Sequence, residues 1–313
     1  MERRNFIRTT LLFIASTQVF SNNLISATFA TKSNFKFVYS SKKLKDEFYK
    51  FLKYVFNVYP ENQFHILIND TTIQKSSDHE IYVTAQSKLD EISPVLSEVR
   101  YQLPALMKQK EEMAKQTVKL LGKGVTFDGY LEIGSSGRYL DYLEERVKII
   151  GKRYYADGKD PGYSFSEMID RGQISKGAEY IPLANYQTRY SQIIAPKSLD
   201  LITIYIGFHH CPLELRVPFI SSIRDTMRVG GKLILRDHDC TTEEQRTIVA
   251  LAHDVFNMGT NQSWEYNNNE IRNFYSLEFI CDFVEKLGFK FNERTLFQPG
   301  DPTKNALMVF TKL

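Results

Sequence analysis

Two short segments concentrate side chains able to do chemistry. Phe208-His209-His210-Cys211 sets two imidazoles beside a thiol, and Arg236-Asp237-His238-Asp239-Cys240 sets an imidazole between two carboxylates and just before a second thiol. Imidazole is the side chain whose ordinary pKa suits proton transfer near neutral pH. His, Asp and Cys are equally good ligands for a divalent metal. Their spacing matches no compact zinc motif, so three readings stand side by side. The histidines position a nucleophile and take its proton, or they hold a metal, or they only shape a pocket. His253 falls within an amphipathic helix and reads as a packing residue.

A third segment has the composition of a ligand-binding turn. Tyr130-Leu131-Glu132-Ile133 is a short apolar strand, and Gly134-Ser135-Ser136-Gly137 follows it. A carboxylate inside an apolar strand is costly unless it has a partner, so Glu132 has a purpose. Gly134 permits a tight turn, Ser135 sits within it, and Gly137 lets the next helix start close against the strand. A helix beginning there offers free N–H groups to a carboxylate. Asp157 closes the second strand, at the distance where a ribose-binding acid belongs.

The elements that must position these residues alternate. After Tyr130–Ile133 come a helix over Tyr139–Ile149 and a strand over Arg153–Asp157. A weaker strand follows at Glu179–Leu183, then an apolar, β-branched one at Leu201–Ile206 of the kind buried in parallel sheets. A helix ending near Met227 precedes the strand Lys232–Leu235. Thr241 with Glu244 reads as a capping box for a helix reaching Met258, and a last helix spans Ser276–Leu287. Such alternation implies an α/β, doubly wound sheet. Two closing strands, Phe289–Phe297 and Ala306–Thr311, have no helix between them and must pair antiparallel. Residues 258–275 form a polar loop holding Trp264 and Tyr266, either a lid over a substrate or an exposed crossover.

Upstream, residues 31–125 read as a mostly helical N-terminal extension. Leu44–Val58 has helical spacing, Ser93-Pro94 starts a second helix, Pro104 kinks or restarts it, and Ala105–Leu121 is strongly amphipathic. Residues 1–30 differ: Arg3-Arg4 and Arg8 precede a modest apolar run from Leu11 to Phe20, then small residues around Ala27 and Ala30. This layout resembles a bacterial twin-arginine export signal and is too short and polar for stable membrane insertion.

The 313 residues carry a formal charge of +3 with 25% charged and 42% hydrophobic side chains, an ordinary globular balance. No basic stripe with interleaved aromatics is present, which excludes a nucleic-acid partner. Three cysteines are too few for a disulfide scaffold.

The segments taken together resemble the class I S-adenosylmethionine (SAM)-dependent methyltransferases over residues 126–313. Glu132-Ile133-Gly134-Ser135-Ser136-Gly137 is similar to the family's first motif, and Asp157 to its acid at the end of the second strand. Asn185, in Pro182-Leu183-Ala184-Asn185-Tyr186, falls where the family often places a polar adenine contact. Leu199-Asp200-Leu201-Ile202 through Phe208-His209-His210 resembles the fourth strand, which often ends in paired histidines. Met227-Arg228-Val229-Gly230-Gly231-Lys232-Leu233 resembles the turn into the fifth, with Val229 where Pro is usual. Residues 36–125 are similar to bacterial methyltransferase-like proteins. The resemblance implies a seven-stranded Rossmann-like sheet closed by an antiparallel hairpin and SAM as cofactor. It makes Glu132, Gly134, Ser135, Gly137, Asp157 and Asn185 the cofactor contacts. The fourth and fifth strands are then neighbours, and His210, His238 and Asp239 become catalytic candidates beside the methyl group. The implied acceptor is an O, N or C nucleophile, a small molecule ahead of a protein. Alternatives are a non-catalytic SAM- or nucleotide-binding module and a metal-dependent enzyme using His209, His210, His238 and Asp239. A nicotinamide-binding Rossmann domain is disfavoured, because the full Gly-x-Gly-x-x-Gly spacing is absent. The cofactor places the chain in the cytoplasm and the leader places it outside; in the latter case Cys211 and Cys240 are candidates for a disulfide.

Overall fold

The computed structural model describes residues 33–94, 98–160, 162, 164, 167–168, 171–172 and 177–313. The leader with Arg3 and Arg4, and its reading as an export signal, lies outside the described residues.

Seven strands form one sheet: β1 (Thr126–Ile133), β2 (Lys148–Asp157), β3 (Glu179–Pro182), β4 (Leu199–Ile204), β5 (Met227–His238), β6 (Phe289–Phe297) and β7 (Asn305–Lys312). Their order is β3-β2-β1-β4-β5-β7-β6, parallel through β5, with β7 antiparallel to both β5 and β6. The expected hairpin is therefore present, with β7 inserted between β5 and β6. Strand order reverses between β1 and β4, the switch point where ligands bind in such sheets.

Period-two alternation sorts each strand onto two cores. Leu131, Ile133, Ile202, Ile204, Leu233 and Leu235 share one cluster with α8 (Leu213–Thr226) and α11 (Leu277–Glu285). Tyr130, Leu201, Ile234, Leu307 and Val309 share the opposite one with α6 (Leu103–Leu121) and α7 (Leu140–Glu144). So α6 covers the sheet itself. Lys110 on its buried side donates to Asp141 of α7 at 2.6 Å and to the carbonyl oxygens of Arg171 and Gly172.

The remaining N-terminal helices are α1 (Asn34–Ser40), α2 (Lys42–Tyr54), α3 (Glu61–Gln74), α4 (Asp78–Ser87) and the short α5 (Leu89–Ile92). They bury Phe35, Phe48, Phe64 and Ile81 in a third cluster completed by Ile248, Leu251, Val255 and Met258 of α9 (Glu243–Gly259). Each such side chain contributes about 1.5–3 kcal/mol through burial, so these helices and α9 share one core. At the seam Tyr59 donates to the Gly259 carbonyl at 2.8 Å, and a Cβ on Gly259 would lie 2.7 Å from the Phe56 ring.

Several boundaries differ from the sequence expectation. The helix after the glycine turn covers only Leu140–Glu144, because β-branched Ile149 and Ile150 already belong to β2. The helix expected from Ser93 runs into residues 95–97, outside the described residues; a π-helical turn at Glu98–Gln102 then leads into α6, which has Pro104 in its first turn. The cap of α9 is Thr242, whose hydroxyl accepts from Gln245 N, not Thr241 with Glu244. Trp264 and Tyr266 stand in α10 (Trp264–Asn269), so the polar loop is partly helical. No helix among the described residues is long and apolar enough to cross a membrane.

Candidate active site

At the carboxyl end of β1, Glu132 is fully buried on the face it shares with Tyr130 and Thr203. Its carboxylate accepts from Ser135 Oγ at 2.7 Å, from Tyr130 OH at 3.2 Å and from Tyr139 N at 3.3 Å. Glu132 thus braces the turn from beneath. Burial raises its pKa to about 7, against the pull of the Ser135 and Tyr139 hydrogen bonds and the nearby Arg138. Gly134 and Gly137 hold φ of 80° and 71°, a backbone that favours glycine and leaves both ends of the turn without a Cβ.

Asp157 ends β2 beside this turn. It accepts from Gly158 N at 2.7 Å and from the Ser136 hydroxyl, and burial raises its pKa. Asn185 lies three residues past β3 in a short 3-10 turn, half-buried, with φ of 51°. All six expected cofactor residues therefore stand at the carboxyl ends of β1, β2 and β3. A glycine-ended turn beside a carboxylate held at a strand end, with Ser136 on that carboxylate, fits a ribose-bearing ligand.

Next to the turn, a cavity of about 260 Å³ lies between the sheet and the N-terminal helices. Arg138, one residue past Gly137, lines it, as do Tyr205, Ile206 and Gly207 just beyond β4. Its apolar wall comes from Phe51, Val55, Phe56, Leu103, Leu106 and Phe256. The polar wall is built largely of imidazoles. Gly207, with φ of 98°, turns the chain into a 3-10 segment that presents His209 and His210. His238 closes β5, and His253 enters from α9. Ring centroids are 4.2 Å apart for His209–His210, 5.0 Å for His209–His253 and 5.3 Å for His209–His238. Phe274 packs against His209, His238 and His253.

Each ring has its Nδ1 on an oxygen. His209 Nδ1 lies 2.9 Å from Asp237 Oδ1, and His210 Nδ1 2.7 Å from the Ile271 carbonyl. His238 Nδ1 is 2.8 Å from the Thr303 carbonyl, and His253 Nδ1 is 3.3 Å from Glu270 Oε2. Burial lowers the pKa of His238 to about 4 and of His253 to about 3, and that of His209 well below its ordinary value. These three imidazoles are neutral at physiological pH. Burial alone would raise the pKa of Glu270, but His210, His253 and Arg272 hold it well below the ordinary carboxylate value.

Two expectations change here. His253 faces the cavity with the other histidines instead of only packing the core. The α9 ridge of Leu251, Ala252 and Val255 meets the N-terminal helices, which turns position 253 to the other side. Asp239 is not part of the cluster: its carboxylate accepts from Leu277 N at 3.2 Å, at the start of α11. Sequence reasoning missed Glu270, at the end of the polar loop, and the role of Asp237 as partner to His209. The one available signal was the adjacent ionisable pair His253-Asp254 following the apolar run Ile248–Ala252 of an amphipathic helix. Cys211, Cys240 and Cys281 are buried free thiols, and burial pushes each up to about 12.

No family model matches the chain, and no curated protein matches it. Among solved structures, the Burkholderia thailandensis 1,6-didemethyltoxoflavin-N1-methyltransferase aligns with 76% of this chain and 91% of its own at 11% identity, TM-score 0.44. A SAM-dependent methyltransferase from Aquifex aeolicus aligns with 73% of this chain and 98% of its own at 14% identity, TM-score 0.43. A Thermotoga maritima SAM-dependent methyltransferase, a possible histamine N-methyltransferase, covers 68% and 92% respectively at 16% identity, TM-score 0.41. The chain's own sheet, β3-β2-β1-β4-β5-β7-β6 with β7 reversed, is a seven-stranded Rossmann-like sheet closed by an antiparallel hairpin.

Proposed function

We propose that the chain is a SAM-dependent methyltransferase acting on a small molecule held in the histidine-walled cavity. The observation that carries this reading is the adjacency of a glycine turn with its strand-end acid to a partly apolar cavity. Arg138 and Tyr205–Gly207 are the residues that join them. The cofactor, when bound, supplies an electrophilic methyl group.

The chain's own residues do the rest. Glu132 fixes the turn, Gly134, Ser135 and Gly137 let the backbone approach the ligand, and Asp157 accepts from ribose hydroxyls. Asn185 offers a polar contact to the base. The apolar wall excludes water and holds the acceptor's body. At about 260 Å³ the cavity lies below the usual range for drug-sized ligands and suits a compact acceptor. Methyl transfer is a direct displacement, so alignment is the main task of the protein. His238 and His210 orient the acceptor's nucleophilic atom, and the neutral imidazole of His238 takes its proton where it carries one. Asp239 has no part in this scheme, since it serves the start of α11.

Calorimetric titration with SAM and with S-adenosylhomocysteine tests the cofactor site. Micromolar binding that Gly134→Arg or Asp157→Ala abolishes supports it, and no binding to either compound overturns it. Binding without formation of S-adenosylhomocysteine across an acceptor screen leaves a binding module instead of an enzyme.

A further inference from the structure

His209, His210 and His253 each offer a ring nitrogen, and these three atoms lie within 4.8 Å of one another. Hydrogen bonding decides which nitrogen is available. Nδ1 of His209 faces the Asp237 carboxylate, Nδ1 of His210 the Ile271 carbonyl, and Nδ1 of His253 the Glu270 carboxylate. An oxygen of this kind accepts a hydrogen bond, so Nδ1 of His209 and of His253 carries the proton and Nε2 keeps the lone pair, while His210 Nε2 stands 3.9 Å from Glu270 Oε1. His209 Nε2 is buried and without a hydrogen-bond partner, on a side chain only 8% exposed. A lone pair left unsatisfied in a buried polar cluster is costly unless something takes it.

We propose that His209, His210 and His253 form a three-histidine site for a divalent transition metal of the zinc class, with an open coordination position on the cavity. Imidazoles braced at Nδ1 by carboxylate or carbonyl oxygens are the usual outer shell of such sites, fixing the tautomer and the ring orientation. A tetrahedral ion holds its nitrogens about 2.1 Å away, which brings them to roughly 3.4 Å from one another. The rings need to draw in by little more than about an ångström. Asp237, Glu270 and Asp254 place three carboxylates around the cluster, where Arg272 pairs with the last two at 2.8 and 2.7 Å and Arg236 lines the same cavity. His238, with Nδ1 on the Thr303 carbonyl, stands next to the triad as a fourth ring and not a ligand.

The site is tested on the full chain, stripped with a chelator and titrated with Co2+ and Zn2+ in the absence of SAM, so the result stands apart from the methyltransferase reading. Saturation at one Co2+ per chain is expected, with visible ligand-field bands of a four- or five-coordinate centre that Zn2+ displaces. His253→Ala should abolish the bands, and Asp237→Asn should weaken affinity by about 10–100-fold, with circular dichroism confirming that both variants fold. Where a variant fails to fold, X-ray absorption of the Zn2+-loaded unaltered chain decides: a shell containing three imidazole nitrogens supports the assignment. A shell without imidazoles, a failure to saturate, or folded variants that bind as the parent does overturns it.

Discussion

His209 Nδ1 lies 2.9 Å from Asp237 Oδ1, while Nε2 across the same ring is buried without a hydrogen-bond partner. The carboxylate therefore selects the tautomer. In metal-free protein with 15N-labelled histidine, His209 should show the shifts of a neutral imidazole protonated at Nδ1. His238 and His253, whose Nδ1 atoms also face oxygens, should show the same pattern. Asp237→Asn removes the anionic acceptor and should let the Nε2-protonated form of His209 appear. An Nε2-protonated His209 in the unaltered chain would contradict this assignment.

Glu132 predicts a pH dependence of stability. Its carboxyl group has a pKa of about 7 in the folded chain, raised by burial from its ordinary value of 4.5. A raised acid pKa means that the folded state holds the proton more tightly than the unfolded state. The stability this confers is fully present below the unfolded value and is lost as pH rises through the folded one. Urea unfolding of the parent and of Glu132→Gln at pH 5 and at pH 8 checks it. The variant should gain on the parent by up to about 3 kcal/mol as pH rises across that window. A difference that is flat with pH would show that Glu132 ionises freely in the fold.

Much of the fold was legible because it is local or periodic. The alternation of apolar strands, the glycine turn and the lack of a helix between the last two strands led to the sheet and its closing hairpin. The strand-end positions of the residues proposed to contact the cofactor were legible for the same reason: Glu132 breaks an apolar strand, and Asp157 ends the next one. The histidine cavity was only half legible. His209, His210 and His238 stand at strand ends, where the expected topology brings them together. His253 and Glu270 come from a helix and a loop whose orientation depends on what packs behind them. That packing partner, the aromatic cluster of α1 to α4 on α9, has no local signature linking it to α9. Asp239 was misplaced because it neighbours His238 in sequence, while in space the chain has already turned toward α11.

The seam between Phe56 and Gly259 yields a coupling prediction. Phe56 is 3% exposed, and Phe56→Ala should cost about 3–5 kcal/mol by leaving a void. Gly259→Ala puts a methyl group 2.7 Å from the Phe56 ring, so it should also destabilise the parent. Against Phe56→Ala the added methyl group has room, and its cost should shrink or reverse. A double-mutant cycle by chemical denaturation should return a coupling of about 0.5–3 kcal/mol. Simple additivity would mean that α9 and the segment after α2 do not meet as described.

Cavity volume separates the acceptor's place from the cofactor's. Ala105, near the start of α6, lines the cavity, whose lining includes none of the residues Gly134–Gly137. An indole at this position occupies much of a space of about 260 Å³. Ala105→Trp should therefore bind SAM and S-adenosylhomocysteine as the parent does, measured by calorimetry. With a fractionated pool of small metabolites that supports turnover by the parent, the variant should form S-adenosylhomocysteine at least tenfold more slowly, roughly the effect of 1.4 kcal/mol on the barrier. Loss of cofactor binding together with turnover would mean that the two ligands share this space. Unchanged turnover would mean that the acceptor enters elsewhere.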